Sequence, residues 1–174
     1  MENSDLIKEF VGKEVIDSLN TLLSTDNINE ITKSASIIAS QFGTDFGQIS
    51  SDSEHFIRSF KKNLTLLIQK TWVEQSDAMQ KEAVLVRLDK FCALAEQNKW
   101  AEGFASFKQI LNSVIYLMFG AICKTPEFEE YSLRIDPEFG IFCWYVKNLP
   151  DTNSWSNEKN KAVLMIAMYF LSNY

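Results

Sequence analysis

Proline and glycine are scarce, three and six in 174 residues. Proline pre-sets and glycine permits turn backbone, so an all-β chain built on many tight turns is excluded. Histidine occurs once, at His55, and any mechanism that needs an imidazole base or imidazole metal ligand must use it or do without. The three cysteines, Cys92, Cys123 and Cys143, stand far apart among apolar neighbours with no Cys-x-x-Cys pair, and they read as buried free thiols in a reducing compartment. Neither glycine-rich phosphate signature is present, so no nucleotide cofactor is implied, and no metal site is read. The apolar runs 110–123 and 162–171 fall short of the roughly 20 residues that cross a bilayer. Charge of one sign never runs long, and the net charge of -6 repels a phosphate backbone. No nucleic-acid partner is therefore expected. The first five residues are acidic and polar and lack the basic and apolar parts of a secretory signal. The expectation is a cytoplasmic protein without a membrane span.

Hydrophobic residues at 46% and charged residues at 23% match ordinary globular proteins. The length suits one domain over 1–174. From Ser4 onward Leu6, Ile7, Phe10, Val15, Leu19 and Leu22 hold the three-and-four spacing of one helix face. Ser24, Thr25, Asp26 and Asn27 supply a turn and an N-cap for a second helix that Gly43 ends. Small polar residues around Gly47 make 44–53 a mobile loop. Ser51 and Glu54 then form a capping box for a helix that buries Phe56, Ile57, Phe60, Leu64, Leu67, Ile68 and Trp72. A fourth helix covers 77–97, and a fifth, 100–123, is buried on two sides. Thr125 with Pro126 and Glu127, and Asp136 with Pro137 and Glu138, each start a short helix. Ser156 caps a final helix whose apolar block, 162–171, belongs at the centre. The sum is an all-α fold, an irregular or orthogonal bundle of about seven helices, because the apolar stripes follow 3.6 spacing and not heptads.

Four groups could carry chemistry. Asp52 precedes His55 by three residues, but one such pair is ordinary in the first turn of a helix. The acids Glu127, Glu129, Glu130, Asp136 and Glu138 cluster at helix starts, where the macrodipole already accounts for them. Arg58, Lys61, Lys62 and Lys70 form a basic face on the third long helix, suited to an acidic partner or an anionic surface. Residues 139–155 are dense in aromatics. As a helix that stretch turns Phe139, Phe142, Cys143, Val146 and Leu149 to one side. Ile141, Trp144 and Tyr145, with neighbouring Trp155, remain for a second neighbour.

Residues 94–111 resemble the turn and second helix of a tetratricopeptide repeat, with Ala95, Trp100, Phe107 and Leu111 in the packing positions. Gly103 stands where that family usually has alanine, and no second copy follows at an offset of about 34 residues. The resemblance implies an antiparallel helical hairpin near 84–118 and, through the family, protein binding.

By elimination the functional expectation is a non-catalytic protein-protein interaction module, an adaptor or regulatory subunit that presents a helical surface to a protein partner or to a second copy of itself. The alternative is a helical small-molecule carrier or enzyme with an apolar pocket between the C-terminal helices. For either, Ile141, Trp144, Tyr145 and Trp155 are the candidate contact residues.

Overall fold

The computed structural model describes residues 12–71, 78–119, 125, 127–128 and 155–172. Seven α-helices and no strand occur among them: α1 (Lys13–Ser24), α2 (Ile28–Gln41), α3 (Phe46–Ser51), α4 (Ser53–Thr71), α5 (Ala78–Glu96), α6 (Trp100–Phe119) and α7 (Asn157–Ser172). The all-α class expected from composition and periodicity is the class observed.

Local chemistry sets the boundaries. The Asn27 side chain accepts hydrogen bonds from the backbone N–H groups of Asn29 and Glu30, so α2 begins as expected. It ends in a Schellman motif: Gly43, at φ 85, donates to the Ser40 carbonyl, and Thr44 donates to that of Ala39. The same motif closes α5. Asn98 takes φ 60 and donates to Ala95, while Lys99 donates to Leu94.

Three expectations are corrected. The first helix does not run on unbroken from Ser4, because Gly12 has extended backbone and serves as the N-cap of α1. Residues 44–53 are not a loop. Asp45 caps α3 through its side chain, and Phe46 is buried beneath it. The cap of α4 is Asp52, whose carboxylate accepts from the His55 N–H, whereas the Ser51 hydroxyl turns back to the Gln48 carbonyl.

α7 lies in the middle of the packing and touches α2, α4 and α6. Its residues 162–168 are all buried, the pattern of a helix with protein on every side. α1 packs on α2, and α5 packs on α4 and α6. The three-residue connection 97–99 makes α5 and α6 antiparallel neighbours. Between them Phe91 meets Phe107 at 4.9 Å and Trp100 and Phe60 edge-on at 6.4 and 6.1 Å. α6 packs on both α5 and α7 and keeps a solvent stripe through Ala101, Ala105, Gln109, Asn112 and Tyr116.

Candidate functional site

α4 is the helix with the strongest charge imbalance among those described, four basic residues against one acid. Its inner stripe, Ile57, Phe60, Leu64 and Ile68, is buried in the core. The four basic residues of the outer side do not act alike. Arg58 pairs with Glu54 one turn earlier. Lys61 reaches across to α5, placing Nζ 3.1 Å from the Asp89 carboxylate. That hydrogen bond holds the Lys61 ammonium above its ordinary pKa, against a smaller desolvation effect. Lys62 and Lys70 are exposed and form no ion pair with a described residue. Between them stands Leu66, 55% exposed. Positions 62, 66 and 70 share one side of the helix at four-residue spacing and form a single ridge.

Beside this ridge runs an open groove of ≈ 550 Å³ between α3, α4 and α7, lined among others by Ile49, His55, Phe56, Ser59, Asn63 and Tyr169. Ser59 and Asn63 precede Lys62 and Leu66 by three residues, which places the Lys62 end of the ridge beside the groove, with Leu66 and Lys70 running on beyond it. The Tyr169 hydroxyl donates to the Phe42 carbonyl at 2.9 Å and ties α7 to the end of α2. Ile49 and Phe56, half-buried, give the groove an apolar floor. Its walls offer neutral hydrogen-bonding groups and one carboxylate, that of Asp52. His55 is exposed here, and its Asp-x-x-His spacing is explained by the Asp52 cap. A second groove, of ≈ 520 Å³ between α1 and α2, carries both signs of charge, with Glu14, Asp17 and Glu30 facing Lys13 and Lys33.

Trp155, a candidate contact residue, is half-buried. Its ring packs edge-on against Phe104 at 6.5 Å and lies 4.3 Å below the Lys159 ammonium. Lys159 is 2% exposed, donates to the Leu23 carbonyl at 3.1 Å and lies 3.9 Å from Asp26. Desolvation pushes its pKa down, and Asp26 only partly opposes that shift. Next to it Asn160 is fully buried, donating to the Ser156 carbonyl at 3.0 Å while its Oδ1 has no partner. Ser156 caps α7 as expected. Asn157 then accepts from the Trp100 N–H at 3.0 Å, so the start of α7 also caps α6. The described contacts of Trp155 are therefore those of a packing residue at a helix junction. Sequence reasoning missed this polar knot, for which the available signal was a lysine one turn after a tryptophan at a helix start.

Ile141, Trp144 and Tyr145 lie outside the described residues, as do Trp72, Cys123, Cys143, Glu129, Glu130, Asp136 and Glu138. Glu127 is exposed. Cys92 is buried, and desolvation pushes its thiol up to about 12 despite nearby Lys61, so it is not a thiolate near neutral pH. Among the described residues no three His, Cys, Asp or Glu side chains gather as metal ligands. No described helix is long and apolar enough to cross a membrane. In comparison with known proteins, no family model matches the chain, and neither a curated protein nor a solved structure matches it significantly.

Proposed function

We propose that the protein is a non-catalytic interaction module, an adaptor or regulatory subunit, which presents the outer face of α4 and its adjoining groove to a protein partner. The observation that carries this reading is the ridge of Lys62, Leu66 and Lys70, an exposed leucine held between two cations that no described acid neutralises. A lone exposed leucine is ordinary on a soluble surface. Here its ridge starts beside an apolar-floored groove and lies on the most basic described helix, which is how a contact centre with a polar rim is built. Of the expected basic face, Lys62 and Lys70 carry the contact, while Arg58 and Lys61 serve mainly their own ion pairs.

The test compares wild type and Leu66→Asp as immobilised baits in native cell extract. Leu66 is exposed, so the variant should keep its far-UV circular dichroism and its melting temperature within a few degrees. A protein retained by wild type and lost by Leu66→Asp is the expected result. Identical retained sets for the two baits would count against α4 as the docking face.

A further inference from the structure

We infer that the occupant of the α4 ridge of Lys62, Leu66 and Lys70 is an acidic helical segment of another protein, with carboxylates about two turns apart flanking one apolar side chain. The inference rests on the interaction reading above and names the chemistry of its partner.

Charge complementarity selects acid. The chain as a whole is at -6, yet α4 carries four basic residues against one acid, and two of the four, Lys62 and Lys70, are exposed and pair with no described residue. Lys62 and Lys70 are eight residues apart, roughly 12 Å along the helix axis. A partner helix laid alongside would meet both ammonium groups with carboxylates seven or eight residues apart. A leucine or phenylalanine between them would reach Leu66. The neutral side chains of Ser59 and Asn63 adjoin the ridge, and the groove's carboxylate, Asp52, stands ten residues before Lys62, roughly 15 Å away along the axis. An anionic membrane is the rival for a basic helix, but interfacial binding needs the helix's apolar face to enter the acyl boundary. In α4 that face, Ile57, Phe60, Leu64 and Ile68, is at most 1% exposed. Leu66 alone remains outside, which suits a side chain that docks and not a helix that inserts.

The test uses the full chain and three probes. These are a synthetic 16-residue helical peptide with two glutamates eight residues apart about a central leucine, the same peptide with lysines for the glutamates, and vesicles of phosphatidylcholine with 30% phosphatidylserine. The glutamate peptide is expected to bind, more weakly as sodium chloride is raised. The lysine peptide and the vesicles should not bind. Leu66→Asp should weaken binding tenfold or more, and the double change Lys62→Gln with Lys70→Gln should weaken it severalfold and flatten the salt dependence. Binding that ignores the double change overturns the inference, as does equal binding of both peptides. Vesicle binding without peptide binding overturns it in favour of a membrane. If no glutamate peptide binds while the extract experiment still shows a partner lost on Leu66→Asp, the acidic class fails and the interaction reading stands.

Discussion

Lys159 shows how a single residue can be costly and still be kept. Its ammonium is removed from water and receives one carbonyl, one ring face and a distant carboxylate whose own side chain is 82% exposed. Desolvation outweighs these partners, so the folded state disfavours the charged form more than the unfolded chain does. The consequence for pH is definite in sign. A lysine with a depressed folded pKa binds fewer protons folded than unfolded between that value and 10.5, and stability rises with pH across this window. Lys159→Met keeps the stem and removes the charge. It should be no less stable than wild type at pH 7, and its advantage should shrink as pH rises toward 10.5. Lys159→Ala loses the stem as well and should be less stable than Lys159→Met by about 2 kcal/mol. Urea denaturation at pH 7, 9 and 10 measures both gaps, and a Met variant well below wild type at pH 7 would show that the Leu23 hydrogen bond outweighs desolvation. Lys61, raised by Asp89, contributes with the opposite sign, and comparing variant with wild type at each pH cancels it. None of this was legible in the sequence, where Lys159 is one of two lysines before an apolar block. Its burial depends on α1 ending at Ser24, and chain distance hides that neighbour.

At the scale of the element, the α5 and α6 hairpin was the most legible part of the fold. Ala95, Trp100, Phe107 and Leu111, read as packing residues, are all buried. Local signals converge there: a polar residue that tolerates positive φ at Asn98, an aromatic opening the next helix, and short-range apolar spacing on both sides. The Trp100 indole N–H also donates to the Asn98 side chain at 3.2 Å, so turn and helix start support each other. α3 was illegible for the converse reason. Gly47 and the surrounding serines weaken helix propensity, and one capping carboxylate at Asp45 with one buried ring at Phe46 outweighs them only once α2 and α4 are in place. At Gly103 the hairpin helices pack tightly, since a Cβ there would stand 3.2 Å from the Phe91 ring. Phe91 is fully buried among Phe60, Trp100 and Phe107 and has little room to retreat. Gly103→Val should therefore lower stability by about 1–3 kcal/mol even though glycine is the poorer helix former. A thermal melt checks it, and a variant as stable as wild type would mean that the rings rearrange without cost.

At the scale of the whole molecule, the placement of α7 follows from its composition, whereas the division of the basic face does not. Ten apolar residues in a row can be solvated on no side, so the helix that bears them must lie centrally. By contrast, which lysines are free depends on Asp89 of another helix reaching Lys61, a tertiary fact with no signature in spacing. The central position has a consequence for unfolding. α7 packs on α2, α4 and α6, and its first turn caps α6 and reaches the end of α1, so these helices cannot separate from it one at a time without exposing shared core. Ile166, at 1% exposure, lies in the middle of this arrangement. Ile166→Ala should lower stability by about 2–5 kcal/mol. The loss should shift one cooperative transition, with far-UV circular dichroism and tryptophan fluorescence moving together. If fluorescence shifts while the helical signal holds its wild-type midpoint, α7 is releasing alone and the other helices have a core of their own. A coincident shift would instead show that burial on every side of α7 couples both ends of the chain into one folding unit.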